Sequence, residues 1–276
     1  MDTGNNIILN RFFTQSIFMD LINNHENSLY DVCIKRYLQD VEAKDNNSLV
    51  HEIYKYLKKQ YRNEYFYKNT LLNKLLLGKH SINTTTALTE IPVNKSKADF
   101  ILINGKAIVY EIKTGLDTFE RLNSQINDYY KAFKHVCVVT PESSFQKLND
   151  LLSNSNVGIY VLTDRDTISI RKEPVEDNSK LDHTTMFKLL RKYEFENILQ
   201  EYYGYLPLTT QVNHYKECFN MFAQIEVNTL YKFFISELKK RNNVVKEEYK
   251  KVPYELKFLI YFPVSKKVIT QNYLLF

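Results

Sequence analysis

Residues 97–113, Lys-Ala-Asp-Phe-Ile-Leu-Ile-Asn-Gly-Lys-Ala-Ile-Val-Tyr-Glu-Ile-Lys, constrain this chain more than any other segment. Two runs rich in Ile, Leu, Val, Phe and Tyr flank an Asn-Gly pair, the pattern of two buried β-strands joined by a tight turn. Asp99 stands at the start of the first run, and Glu111 and Lys113 at the end of the second. Charged groups on buried strands cost stability unless they are paired or hold a ligand. Their placement therefore points to a site.

The parity of the turn decides whether that site can form. Side chains alternate between the two faces of a strand, so a one-residue slip sends them to opposite faces. A two-residue hairpin at Asn104-Gly105 would set Ile103 against Lys106 and turn Glu111 away from Asp99. A three-residue loop, Ile103-Asn104-Gly105, with Gly105 in the left-handed conformation, puts Asp99, Val109, Glu111 and Lys113 on one face. The expectation is odd parity.

The surrounding segments give an element order. Phe12 to Leu77 shows apolar residues at helical spacing, with Gly78 as the stop. A first strand is expected over Thr85–Val93, followed by the hairpin strands Ala98–Ile103 and Lys106–Lys113. A helix is expected from Leu116 to Phe133, capped by Asp117. It is followed by a strand over His135–Thr140, a helix from Pro141, a strand over Val157–Leu162 and a last strand over Thr167–Arg171. After a polar linker near Pro174, residues His183 to Arg241 read as helical. These features predict an α/β fold with a mixed sheet flanked by helices. Three regions are expected: a helical N-terminal extension over 1–60, an α/β core over 61–173, and a mainly helical C-terminal module over 180–276.

Composition limits the function classes. The chain of 276 residues is 44% hydrophobic, enough for a substantial core. No apolar run approaches the ~20 residues that cross a bilayer. The opening Met1-Asp2-Thr3-Gly4 lacks the basic and apolar regions of a signal peptide, so the cytoplasm is the expected location. Three scattered cysteines form no C-x-x-C pair, and Cys137 reads as a core residue. A net charge of +5 permits nucleic-acid binding. Local clusters at Lys55–Lys59, Lys239-Lys240-Arg241 and Lys250-Lys251 read first as solvated helix faces.

Carboxylates on adjacent strands suit a hard divalent ion, and a lysine on the same face suits phosphodiester hydrolysis. On the next helix, Gln125 and Tyr129 lie four residues apart and share a face.

Asp99, Glu111-Ile112-Lys113 and Gln125-x-x-x-Tyr129 resemble the PD-(D/E)xK nuclease superfamily, in its RecB-like and Cas4-like Q-x-x-x-Y form. Lys97-Ala98-Asp99 replaces the usual Pro-Asp. More narrowly, several stretches are similar to the sce7726 family of suspected bacterial nucleases: Ala98-Asp99, Ile103-Asn104-Gly105, Tyr110-Glu111-Ile112-Lys113-Thr114, Asp117-Thr118, Arg121-Leu122, Arg171-Lys172-Glu173-Pro174 and Leu189–Glu194. The likeness spans about residues 60–200. It implies a restriction-endonuclease-like αβββαβ core and cleavage of DNA, with RNA as a further candidate substrate. It implies that Asp99, Glu111 and the Ile112 carbonyl hold Mg²⁺ or Mn²⁺, and that Lys113 assists the attacking water. Gln125 and Tyr129 would orient the cluster or contact the DNA backbone. A helix acid would complete the set, with Glu64 the first candidate and Glu52 and Glu90 the others. The competing expectation is a catalytically inactive nuclease-like module that binds nucleic acid or protein in a defence or mobile-element system. A protein partner or a second copy would then dock through the C-terminal region.

Overall fold

The computed structural model describes residues 6–24, 26–42, 44–77, 84–241, 249 and 252–262. The expected helix stop at Gly78 and the Lys250-Lys251 cluster lie outside them. The chain divides into two compact units, Met1–Asn83 with Thr114–Leu116 and Val244–Phe276, and Thr84–Lys113 with Asp117–Asn243. These units do not follow the expected boundaries at 60 and 180, because the divisions are drawn by packing rather than by chain order.

The first unit holds helices α1 (Leu9–Phe12), α2 (Gln15–Asn24), α3 (Ser28–Tyr37), α4 (Asn46–Gln60) and α5 (Glu64–Leu71). A π-helical run, Leu72–Leu77, continues α5. Asn27, Asp45 and Asn63 cap α3, α4 and α5 by accepting from backbone N–H groups of the first turn, which have no partner within the helix. Aromatic rings fill the interior: Phe13 stacks on Tyr65, and Phe258 of the late helix Lys257–Tyr261 meets Tyr65 edge-on.

The second unit is built on one six-stranded mixed sheet in the order β1 (Thr86–Val93), β2 (Ser96–Asn104), β3 (Lys106–Ile112), β4 (His135–Pro141), β5 (Gly158–Leu162) and β6 (Ile168–Lys172). The β1–β2, β2–β3 and β5–β6 pairs are antiparallel, while β3–β4 and β4–β5 are parallel. The parallel pairs require crossovers, supplied by α6 (Leu122–Tyr129) and α7 (Glu142–Leu151). The unbroken apolar run Val136-Cys137-Val138-Val139 follows from β4 being buried on both faces. Gly158 opens β5 where a Cβ would lie 2.8 Å from Cys137 Sγ and from Pro174.

One face carries Leu88, Ile101, Ile103, Ala107, Val109, Val136, Val138 and Ile159. It shares a core with Leu122, Ile126 and Tyr129 of α6. The same core takes in Met186 and Phe187 from α8 (His183–Leu189), Phe195 from α9 (Lys192–Tyr203), Phe222 from α10 (Gln211–Ala223) and Phe234 from α11 (Val227–Lys239). The helices after the linker are thus part of the sheet's own unit.

Three local expectations are corrected. Helix α6 begins at Leu122, not Leu116, and Arg121 rather than Asp117 occupies its N-cap. Gly115 and the β-branched Thr118 disfavour helix over the missing turns. The hairpin turns one residue later than expected: Ile103 pairs with Ala107 and Asn104 with Lys106, leaving Gly105 at the tip with φ of +71°. This keeps Ile103 buried on the strand instead of in the loop. Finally, Arg241 is no part of a solvated face, because its guanidinium is buried against Glu194 at 2.6 Å.

Candidate functional site

The hairpin has odd parity, so its charged residues share a face. The β2–β3 ladder runs from Asn104↔Lys106 to Phe100↔Tyr110, which brings Asp99 next into line with Glu111. In the β1–β2 ladder, Thr89↔Phe100 and Ile91↔Ala98 bracket Glu90, which aligns with Asp99. Glu90, Asp99 and Glu111 therefore form a row of acids across three adjacent strands. Carboxylate oxygens of Glu90 and Asp99 lie within 4.8 Å of each other. Glu90 has φ of +55°, the left-handed region, and is ion-paired with Lys97. A non-glycine residue held there costs about 1–3 kcal/mol, and such strain gathers at functional positions.

Glu111 is 2% exposed and Lys113 9%. Lys113 Nζ lies 2.9 Å from Glu111 Oε1 and also donates to Gln125 Oε1 at 2.9 Å. Gln125 Nε2 donates to Glu111 Oε1 at 2.5 Å. Tyr129 OH contacts Glu111 Oε2 at 2.5 Å and the Lys97 carbonyl at 2.9 Å. A phenol has one hydrogen, and the shorter, charge-assisted contact takes it. Burial, followed by the charge of Glu111 and its hydrogen bond, holds the Tyr129 phenol well above its usual pKa. Tyr129 is therefore a neutral donor. Helix α6 delivers Gln125 and Tyr129 together because they are one turn apart.

Asp99 Oδ2 accepts from the Ile112 amide at 2.8 Å. Ile112 therefore meets the acid row through its N–H, and any role for its carbonyl belongs to the proposal below. The structure thus brings together Asp99, Glu111, Lys113, Gln125 and Tyr129, with Glu90 alongside. Glu64 opens α5 in the first unit, exposed and 2.5 Å from Lys68, its partner one turn on. Glu52 is in the same unit, paired with Lys44 at 2.9 Å. The sequence alone ranks Glu90 last because its alignment with Asp99 depends on the β1–β2 register, which an apolar pattern does not set.

The oxygen-rich donor set fits a hard divalent cation. A carboxylate offers about four lone-pair sites, and Lys113, Gln125 and Tyr129 use three on Glu111, which leaves room for one more contact.

The fold and site define an α/β protein with an acid row and a buried Glu-Lys-Gln-Tyr network at one corner of a six-stranded mixed sheet. The chain belongs to the family described as bacteriophage P4 protein cII, which matches residues 57–257. Protein cII of Enterobacteria phage P4 is 22% identical over 180 residues, covering 63% of this chain and 66% of that protein. The chain thus spans just under two thirds of that relative's length. Among solved structures, a protein of unknown function from Silicibacter pomeroyi aligns at 12% identity with a TM-score of 0.29. That alignment covers 46% of this chain and 87% of the other, a likeness too distant to carry an argument. No helix among the described residues is long and apolar enough to cross a membrane.

Proposed function

We propose that this protein is a divalent-metal-dependent nuclease of restriction-endonuclease-like fold that hydrolyses phosphodiester bonds of DNA. One observation carries the reading: the odd-parity hairpin sets Asp99 against Glu111 with Lys113 on the same face, while α6 fastens Gln125 and Tyr129 to the same carboxylate. Asp99 and Glu111 would hold Mg²⁺ or Mn²⁺ with the Ile112 carbonyl, and Glu90, aligned with Asp99, is a further acid on the same sheet. The ion would supply Lewis-acid stabilisation of charge on the phosphate and a lowered water pKa. Lys113 holds a positive charge beside Glu111, where it can orient a water or offset charge developing on the phosphate. Gln125 bridges Lys113 and Glu111, so its role is to set their separation. Tyr129 fixes the angle of the Glu111 carboxylate as a permanent donor.

A second reading has an observation of its own. Both oxygens of Glu111 already accept strong hydrogen bonds, so the carboxylate has partners without any ion. A chain that kept the fold and lost cleavage, binding nucleic acid or a protein partner instead, would present this arrangement. Incubation with labelled linear, nicked, single-stranded and branched DNA, and with RNA, in Mg²⁺ or Mn²⁺ separates the two. The nuclease reading expects products that vanish in Asp99→Ala. Binding without products in any arm supports the second.

A further inference from the structure

On the far side of α6 from Gln125 and Tyr129, the second unit has a cleft of about 700 Å³. Asn94 from the β1–β2 turn, Asn127 and Lys131 from the end of α6, and Lys180, Asp182 and Lys188 from the segment through α8 line it. Its volume exceeds that of a single-ion site and falls in the ~300–1,000 Å³ range of ligand clefts. Its charge is one-sided. Asp182 is the one acid among the described lining residues, and its carboxylate is turned into the α8 cap, accepting from Thr185 N at 2.7 Å and Thr185 Oγ1 at 2.6 Å. Lys180 donates to a neutral acceptor, Asn127 Oδ1, at 2.7 Å. Lys131 lies 3.2 Å from Asp128, whose carboxylate is shared with Asn94 and Ser96. Lys180 and Lys188 are exposed.

We infer that this cleft binds the phosphodiester backbone of a nucleic-acid strand. Ammonium groups from separate elements, converging on one cleft with side-chain amides between them, match a chain of phosphates rather than a single anion. No aromatic side chain is among the described lining residues, so bases have no stacking platform and recognition is of the backbone, independent of sequence. Helix α6 connects the cleft to the acid row: Asn127 and Lys131 lie one turn apart in it or just past its end, as do Gln125 and Tyr129 within it. Asp128 ties the same helix to the β1–β2 turn through Asn94 and Ser96. The inference rests on the nuclease reading only in making the bound strand a substrate.

The test is fluorescence anisotropy with labelled single-stranded DNA, duplex DNA and RNA, in EDTA, using the full chain. Lys180→Gln/Lys188→Gln should bind about tenfold or more weakly at moderate salt, alike for different sequences. The slope of log affinity against log salt should fall by about 2. Lys180→Arg/Lys188→Arg should restore binding, and an unchanged melting temperature confirms the fold. Wild-type affinity in the Gln double variant overturns the inference. So does wild-type protein that binds none of the three nucleic acids, or polyglutamate that competes as well as DNA. Glu111→Gln separates the two claims: in EDTA it should bind like wild type, and with Mg²⁺ or Mn²⁺ it should cut about 10²–10³-fold more slowly. Cutting at the wild-type rate by Glu111→Gln overturns the nuclease site and leaves the cleft standing.

Discussion

Glu111 and Glu194 are both almost fully buried acids in the same unit, each beside a cation, yet they are built for different ends. Glu194 faces a bidentate guanidinium: Arg241 Nε lies 2.7 Å from Oε1 and Nη2 2.6 Å from Oε2. It also accepts from the Arg191 amide at 2.7 Å, closing the start of α9, while Arg241 reaches back to the Leu189 carbonyl at 3.0 Å. Every contact ties one piece of chain to another. Glu111 is held by a lysine, an amide and a phenol, with Asp99 aligned on the next strand and Glu90 on the strand beyond. Accumulated carboxylates raise the energy of the fold through like-charge repulsion. Glu194 closes the fold, whereas in the reading proposed above Glu111 is kept for a positive ligand.

The sharpest way to break this contrast is to cross the two positions. Glu194→Gln should lose about 3–5 kcal/mol of stability, because it leaves Arg241 buried without its charge partner. Urea denaturation reads this, and cleavage per folded molecule should stay near wild type. Glu111→Gln also takes the charge partner from Lys113, but it relieves repulsion with Asp99, so it should lose less stability than Glu194→Gln and about 10²–10³-fold in cleavage. If Glu194→Gln abolishes cleavage at full folding, or Glu111→Gln unfolds the chain, the division of labour is wrong.

Tyr129→Phe is expected to show a smaller effect. It removes the donor to Glu111 Oε2 and leaves a buried carboxylate oxygen unsatisfied, a loss of about 1–3 kcal/mol. Cleavage should fall less than in Glu111→Gln, because Lys113 and Gln125 still hold the other oxygen. Equal losses would mean that Tyr129 does more than orient the carboxylate.

The acid limb of the stability profile should show the least. Burial pushes the Asp128 carboxyl up, but hydrogen bonds from Asn94, Ser96 and Lys131 outweigh it and hold the pKa below its usual value. A depressed folded-state pKa gives stability above the ordinary carboxylate value and loses it as the pH falls through the depressed one. Asp128→Asn should therefore be less stable at neutral pH and flatter below about pH 4. A parallel, merely shifted profile would contradict the assignment.

Much of the sheet is legible in the sequence because local chemistry decides it. The apolar runs mark the strands, Asn104-Gly105 marks the turn, and the burial of Ile103 and Glu111 on one face needs odd parity. The i, i+4 spacing likewise joins Gln125 to Tyr129. What is not legible depends on distant packing. Glu194 and Arg241 meet across three helices, so in sequence Arg241 looks like one more surface cation. The lining of the cleft comes from three separated segments with no shared motif. The unit boundaries are hidden for the same reason: Phe195, Phe222 and Phe234 join the sheet's core only once the chain has folded back. The start of α6 is misplaced because Asp117 looks like a cap, whereas Gly115 and Thr118 weaken the turns that follow.

The central claim is that the acid row is a metal site, and Mn²⁺ binding tests it whatever the substrate turns out to be. Electron paramagnetic resonance titration of wild type, Asp99→Asn and Glu194→Gln counts bound against free ion. The account predicts saturable Mn²⁺ binding in wild type, retained in folded Glu194→Gln and lost in Asp99→Asn. Saturable binding that survives Asp99→Asn, or none in wild type, would contradict it.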